Sequence, residues 1–436
     1  MTSRPDVLVV GAGFAGVAAA TALAERGARV LVIETRQRPG GRAYSWTDPA
    51  TGEVRDNGQH GLASFYDVTL RLLDRLGTRE ALDAVPALRL HVWERGRGSY
   101  RFACPDLPAP LHWLAAVGTC DGLSVPSRIA ALQLRGRVRD LIARNGNGGA
   151  VTVQQWMDWG AGSGDLAALL WPIALAALNE LPGEASAVLF ARVLARLLDA
   201  PASRTGLALP RRGLADLMEG FEDYLTARGS EVRYRATDLG IRIEEGRAVG
   251  VNLLGGERLT AGAVILTVPH ERIGWMLRPD VLAPYREVVS VPWSPIVSTV
   301  HTFDRPVLPT RMVALLGTRT QWAFDRGAVG GGFAVGTVRS AATADVERPI
   351  DEIASETESE LREAFPDASL ARLLGSRVYK ERRATMRATP AAERVRPPAE
   401  TAVPDLVLAG YWTATGLPPT IEGAVWSGHR AAEIVR

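Results

Sequence analysis

The stretch "VLVVGAGFAGVAAATALAERGARVLVIE" (Val7 to Glu34) constrains the fold more than any other part of the chain. Four consecutive apolar residues predict a buried strand. The alanine-rich run after Gly16 predicts a helix to about Arg26 with Gly27 as its stop, and the segment ending at Glu34 predicts a second buried strand. Glycines at 11, 13 and 16 each have a mechanical reason in such a unit. Gly11 permits a tight turn, Gly13 beside Ala12 lets the backbone approach a pyrophosphate, and Gly16 lets the helix pack on the strand. The helix N-terminus adds free N–H groups and the positive end of its dipole. Glu34 stands eighteen residues after Gly16, where an acid takes a ribose hydroxyl. The expectation is an α/β fold with a Rossmann-like dinucleotide-binding domain.

A chain of 436 residues is longer than one ordinary domain and predicts a second one. Its net charge of +2 gives no reason to expect a polyanionic partner, so nucleic acid is excluded as a target. Cys104 and Cys120 have no C-x-x-C spacing, and no secretory signal precedes the first strand. The expected compartment is the reduced cytoplasm. The apolar run from Leu166 to Leu178 is interrupted by Pro172 and falls well short of the roughly 20 residues that span a bilayer. A buried core helix is expected there. No metal-ligand spacing and no Ser/His/Asp arrangement stands out. The glycine-rich "RGAVGGGFAVG" (Arg326 to Gly336) opens no helix and predicts a hairpin turn.

Three further segments carry a resemblance. "RQRPGGRAYS" (Arg36 to Ser45) follows Glu34 almost directly, and "GSEVRYRATDLGIRIEEGRAVGVNLLGGERLTAGAVILTVPH" (Gly229 to His270) reads as strands and hairpins ending in a buried strand. Near the C-terminus, "LAGYWTATGLPPTIEGAVWSG" (Leu408 to Gly428) gives a strand, a turn and a helix whose first turn lies near Thr420 to Gly423. Together these resemble the flavin-binding amine oxidase and carotenoid desaturase superfamily. That resemblance implies FAD as cofactor, with Gly40, Gly41 and Arg42 along its pyrophosphate and near the flavin, and the Val232 backbone on the adenine. It also places Gly410, Thr420, Ile421 and Gly423 at the flavin: the Thr420 and Ile421 N–H groups donate to the reduced ring, and Gly423 keeps a side chain off it. The superfamily usually has an aspartate after the first of these glycines, bonding a ribityl hydroxyl. Tyr411 occupies that place, and its phenol can offer one hydrogen bond instead.

A narrower resemblance rests on "DPATGEVRDNGQH" (Asp48 to His60), "LPAPLHWL" (Leu107 to Leu114), "WPIALAALNELPGEASAVLF" (Trp171 to Phe190), the segment from Arg382 to Gly410, and "TGLPPTIEGAVWSGHRAAE" (Thr415 to Glu433). These are similar to the hydroxysqualene dehydroxylases, FAD enzymes of bacterial hopanoid synthesis. The resemblance implies reductive conversion of hydroxysqualene to squalene by a protein without its own NAD domain. A long apolar isoprenoid substrate, an external electron donor, the membrane surface and the enzyme that makes hydroxysqualene are the implied partners. It puts the FAD-binding domain at 1–77, 204–271 and 380–436, and a discontinuous α+β substrate or cap domain at 78–203 and 272–379. His60 is the expected proton donor, because an imidazole titrates near working pH. Glu422 is the second candidate, because a glutamate in an apolar pocket stays protonated. Asn57 and Gln59 are expected to position, Gln59 beside the cofactor. "CPDLPAPLHWLAAV" (Cys104 to Val117) is the expected docking segment for the inner membrane face. The alternatives are a terpenoid desaturase or amine-oxidase-like oxidase, which differ in the direction of electron flow, and a non-catalytic lipid-binding protein that has lost its flavin.

Overall fold

The computed structural model describes residues 4–47, 54–85, 87–145, 149–161 and 164–435. Residues 48–53, the first part of the segment ending in Asp56-Asn57-Gly58-Gln59-His60, lie outside them. Along the chain, strand β1 (Val7–Val10), helix α1 (Phe14–Glu25) and strand β2 (Val30–Glu34) come first, followed by α2 (Asp67–Leu76). Strands β3 (Arg89–Glu94) and β4 (Gly98–Ala103) form a hairpin, and α3 (Leu111–Thr119), α4 (Val125–Asn145), α5 (Asp165–Leu178) and α6 (Ala187–Asp199) follow it. Next are β5 (Glu231–Tyr234), β6 (Ala263–Leu266), β7 (Trp293–Phe303), β8 (Met312–Leu316), β9 (Trp322–Val329), β10 (Gly332–Arg339) and β11 (Leu373–Met386). Strand β12 (Leu406–Leu408) and helix α7 (Ile421–Ile434) complete the labelled elements.

Strands β5, β2, β1, β6 and β12 pair in that order, all parallel. Strand β1 is buried along its whole length, as a parallel sheet covered on both faces requires. The turn after β1, the end of β2 and the loop after β12 lie at the carboxyl edge of the sheet, where such folds bind ligands. Helices α1 and α7 pack closely, because a β-carbon on Gly428 would come within 2.1 Å of the Ala15 carbonyl oxygen. The buried strand that ends the Gly229 to His270 segment stops at Leu266. There the Thr267 hydroxyl turns back to the carbonyls of Val10 (2.8 Å) and Gly11 (2.9 Å) and ties the two strand ends together.

A second sheet has the order β11-β7-β10-β9-β8-β3-β4. Its β9–β10 hairpin turns at Gly330 and Gly331, both at positive φ, which accounts for the glycine run. Helices α3 to α6 cover this sheet with a separate apolar core that includes Leu90, Trp113, Leu134, Leu169, Phe190 and Trp322. Helix α5 carries Pro172 within it and buries Leu166, Leu169 and Leu170 in that core, as expected. The chain passes from the first core to the second between Leu62 and Ala63, two residues after His60. The segment around His60 is thus a seam between two cores.

Candidate active site

The glycine turn is built as its sequence requires. Gly11 has φ +104°, and a β-carbon on Gly16 would fall 1.9 Å from the Gly11 carbonyl oxygen. Around Gly13 no protein atom lies within 4 Å of a built β-carbon, and Gly13 caps α1 without a side-chain bond, so the helix N-terminus is open on that side. The second glycine pair closes over the first. Gly40 N donates to Ala12 O at 2.8 Å, and a β-carbon on Gly41 would come 3.2 Å from Gly13 Cα. Glu34 accepts from Ala12 N and Arg36 N, each at 2.8 Å, one bond per carboxylate oxygen. Those bonds fix the acid at the strand end and leave further lone pairs for a hydroxyl. Val232 lies on the edge strand β5 in register with Val32.

Arg42 and Tyr411 meet. The guanidinium donates to the phenol oxygen and lies 4.6 Å from the Tyr411 ring centre and 4.9 Å from that of Trp293. Met386 N donates to the same phenol oxygen at 3.2 Å, so both acceptor positions are filled from within the protein. Tyr411 was expected to face a ribityl hydroxyl. The loop is instead built around the phenol as a partner of Arg42.

The loop's second support was invisible to sequence reasoning. Arg396 is buried, ion-paired with Glu393 at 2.7 Å, and donates to the main-chain oxygens of Tyr411, Thr413 (2.8 Å) and Leu417 (2.7 Å) and to the Thr415 hydroxyl (2.8 Å). One planar fork of donors therefore holds the whole turn between β12 and α7. The usable signal was Arg396 flanked by Val395 and the Pro397-Pro398 pair shortly before β12. Gly410 fits here because its φ is +142° and a β-carbon would strike the Trp412 indole nitrogen at 2.4 Å.

At the start of α7 the structure corrects two expectations. Thr420 N is used within the turn, donating to Pro418 O at 2.7 Å, while the Thr420 hydroxyl accepts from Gly423 N at 3.3 Å. Among the described residues, the N–H groups of Ile421 and Glu422 are the ones left without an acceptor, so the donor pair lies one residue later than expected. Gly423 is also required by the Pro418 carbonyl, which a β-carbon would approach to 2.7 Å. Glu422 does not sit in an apolar pocket. Its carboxylate accepts from Val68 N (3.3 Å), Thr69 N (3.0 Å) and the Thr69 hydroxyl (2.8 Å), and pairs with Arg196 at 3.3 Å. It anchors the N-terminus of α2 through four donors.

The loop carrying His60 lies between the cofactor-side segments and the second sheet. Asn57 Nδ2 donates to Arg42 O (2.7 Å) and to Glu381 Oε2 (3.2 Å), linking the Gly-Gly-Arg segment to β11. Gln59 lies against β10, its Oε1 3.5 Å from where a Gly336 β-carbon would be, with the Arg326 stem beside it. His60 Nδ1 pairs with Gly58 O at 2.9 Å; a carbonyl only accepts, so Nδ1 carries the hydrogen. Burial depresses the His60 pKa below its ordinary value and the Arg326 charge adds to this, while Asp56, the Gly58 carbonyl and Glu381 oppose it. The imidazole is neutral at pH 7, with Nε2 as its open acceptor. Glu381 was not singled out from the sequence, because only the pairing of β11 with β7 brings it to this loop.

These features fit FAD. An open helix N-terminus under two interleaved glycine turns and, among the described residues, a cation (Arg42) with no acid partner and a second helix start with unfilled donors suit a long dianionic cofactor. No group of His, Cys, Asp and Glu among the described residues can hold a metal ion.

Comparison with known proteins agrees with this geometry. Residues 14–436 match the family model described as flavin containing amine oxidoreductase. Hydroxysqualene dehydroxylase of Rhodopseudomonas palustris is 33% identical over 98% of both chains, and that of Sinorhizobium fredii is 29% identical over 98% of both. A 15-cis-phytoene desaturase of Glycine max is 23% identical over 99% of this chain and 79% of its own. Among solved structures, an oxidoreductase from Methanosarcina mazei superposes with a TM-score of 0.74 at 18% identity, covering 98% of this chain and 99% of that one. Putrescine oxidase bound to putrescine gives 0.72 at 18% identity, over 99% and 98%. A non-catalytic, flavin-free lipid carrier does not account for a match of this extent. The chain belongs to the family of flavin-containing amine oxidoreductases and is an FAD-dependent oxidoreductase.

Proposed function

We propose that the protein reductively removes the hydroxyl group of a long isoprenoid allylic alcohol, hydroxysqualene, to give squalene. A C–O bond is replaced by a C–H bond: a hydride goes to carbon, a proton goes to the departing oxygen, and water leaves. The observation that carries this reading is the match of 98% of the chain to a hydroxysqualene dehydroxylase at 33% identity. When bound and reduced by an external donor, FAD would supply the hydride.

The remaining tasks fall to the chain's own residues. Gly11, Ala12, Gly13, Gly16, Glu34, Gly40, Gly41, Arg42, Val232 and the Gly410 to Gly423 unit hold the dinucleotide, with Ile421 and Glu422 N–H as donors. His60 delivers the proton from Nε2 in its cationic form, and Asn57, Gln59 and Glu381 hold its loop. Glu422 is assigned a structural part. The apolar core that begins at Ala63 and Phe65 excludes water and accepts the hydrocarbon. On this reading residues 1–77, 204–271 and 380–436 bind FAD, and the intervening segments form the cap.

Substrate of this kind resides in a bilayer, and no helix among the described residues is long and apolar enough to cross one. The proposed docking face is on α3 and α4. Val125, Ile129 and Leu132 follow one another on one side of α4, 71%, 52% and 55% exposed, and Leu111 and Leu114 on α3 are 50% and 37% exposed. Five arginines against one aspartate on α4 suit an anionic lipid surface, here the inner membrane face. The expected docking segment is corrected in part, since Trp113 and His112 are buried and the Trp113 indole donates to Ala131 O. An external reductant, and the enzyme that makes hydroxysqualene, are the further partners.

Incubating the FAD-loaded protein with a chemical reductant and hydroxysqualene in vesicles tests the reading. Squalene formation supports it. Consumption of a saturated isoprenoid with reduction of the flavin, and no squalene from hydroxysqualene, would favour the desaturase direction to which the 23% match points.

A further inference from the structure

Arg42 is a half-buried cation whose side-chain hydrogen bond and ring contacts, among the described residues, are all with neutral groups. Its side chain contacts the Tyr411 phenol oxygen, the Tyr411 ring at 4.6 Å and the Trp293 ring at 4.9 Å, and among the described residues it forms no ion pair. The nearby acids are engaged elsewhere. Glu271 accepts from Trp293 Nε1 at 2.7 Å and from Arg383 at 2.6 Å, and Glu381 is bonded to Asn57, whose amide separates it from the Arg42 carbonyl. Tyr411 is not free to move aside: it is 6% exposed, its hydroxyl is held by Met386 N and its carbonyl by Arg396. The guanidinium is therefore sandwiched and aimed, yet its charge is not neutralised.

A partly desolvated charge of this kind acts strongly on any charge that appears beside it. FAD taking up two electrons and one proton gains one negative charge, and Arg42 lies in the segment that also carries the second glycine pair. We propose that Tyr411 is a positioning residue that presents Arg42 uncompensated to the cofactor and thereby raises the reduction potential of bound FAD. The protein is then readily reduced by an external donor. A carboxylate at the same place would hold Arg42 equally well but cancel its charge. This proposal rests on FAD occupying the site and not on the identity of the substrate.

The test is the midpoint potential of the purified holoprotein, read against a reference dye with FAD in excess and no isoprenoid present. Tyr411→Glu brings a carboxylate close to the former ring centre, within ion-pair reach of Arg42. Trp293→Glu does so from the other ring position while leaving Tyr411 intact. Each is expected to lower the preference for reduced over oxidised FAD by about tenfold, close to 30 mV for a two-electron couple. Tyr411→Phe, which keeps the ring and its neutrality, is expected to change that preference by less than twofold while weakening FAD binding. Unchanged potentials in the two glutamate variants would overturn the proposal. So would a shift in Tyr411→Phe as large as in Tyr411→Glu, because the hydrogen bond and not the charge would then set the potential. Because no substrate is used, failure of the squalene assay leaves this result standing.

Discussion

The Glu422 carboxylate meets Thr69 twice, 3.0 Å from its main-chain nitrogen and 2.8 Å from its hydroxyl. The acid is carried on the first turn of α7, yet its charge is placed on the first turn of α2, with Arg196 completing the pair at 3.3 Å. An anion at a helix N-terminus is stabilising, and a buried one bonded by several donors is costly to remove. Glu422→Ala is expected to lower unfolding free energy by about 2–3 kcal/mol, and Glu422→Gln by less, in urea titrations. Turnover per bound flavin should stay within a few-fold of the parent. A Gln variant of full stability with no turnover would return Glu422 to the chemistry.

Gly13 and Gly16 look equivalent in sequence and differ in space. A β-carbon at Gly13 meets no described atom of another segment within 4 Å, whereas one at Gly16 would fall 1.9 Å from the Gly11 carbonyl oxygen. Gly13→Val should fold with a near-parental melting transition and lose FAD, while Gly16→Val should lose the fold as well. Flavin absorbance after gel filtration, set beside circular dichroism, separates the two. Full flavin occupancy in folded Gly13→Val would contradict the placement of the pyrophosphate.

All six histidines have pKa values held below the ordinary imidazole range, chiefly by burial, and His301 and His429 are lowered to about 4. A histidine depressed in the fold is neutral in both states well above pH 6.5 and contributes nothing to pH dependence there. As pH falls below 6.5 the unfolded chain binds protons first, so stability drops until the folded-state pKa is passed. Urea titrations should therefore show falling stability between pH 6.5 and about 4. His301 is fully buried with Nδ1 on Ser376 Oγ at 2.7 Å and Nε2 unpartnered, and its share is roughly 3 kcal/mol at full charging. His301→Asn, which keeps the bond to Ser376, should flatten that part of the profile; an unchanged slope would show that other groups carry it. By the same sign, turnover through His60 should rise as pH falls toward its depressed pKa, and His60→Asn should remove that rise.

The exposed face of α4 gives a prediction about delivery of substrate. Replacing Ile129 and Leu132, 52% and 55% exposed, with serine removes mostly solvent-facing apolar surface, so folding should be little affected. Sedimentation with anionic vesicles should fall several-fold and weaken further in high salt, as an interfacial helix aided by arginines requires. Flavin content should not change. Equal sedimentation of variant and parent would exclude this face.

The parts legible in the sequence were those where backbone geometry dictates residue type. The strand, glycine turn, helix and acid from Val7 to Glu34 form as read, because Gly11 and Gly27 take a positive φ and Gly16 answers a local clash, and such demands leave marks at fixed spacing. The Gly-rich hairpin at Gly330 and Gly331 was legible for the same reason. What the sequence did not show were the destinations of long side chains. Glu422 reaches a helix that begins at residue 67, Arg396 gathers carbonyls up to residue 417, and Tyr411 faces Arg42 across the sheet edge. Nothing within the neighbourhood of any of these residues specifies its partner, because the partner is supplied by strand order. Trp113 looked interface-seeking by type and is buried, since only packing against α4 decides which side of α3 faces solvent.

The central claim is that electrons pass from the flavin to an allylic alcohol. The most direct measurement is an anaerobic single turnover in which the protein, its flavin reduced beforehand and excess reductant removed, is mixed with hydroxysqualene in vesicles. The account predicts that the oxidised flavin spectrum returns and that one squalene forms per flavin reoxidised, at the same rate. A flavin that stays reduced with hydroxysqualene recovered intact, in a protein that still binds those vesicles, would contradict it.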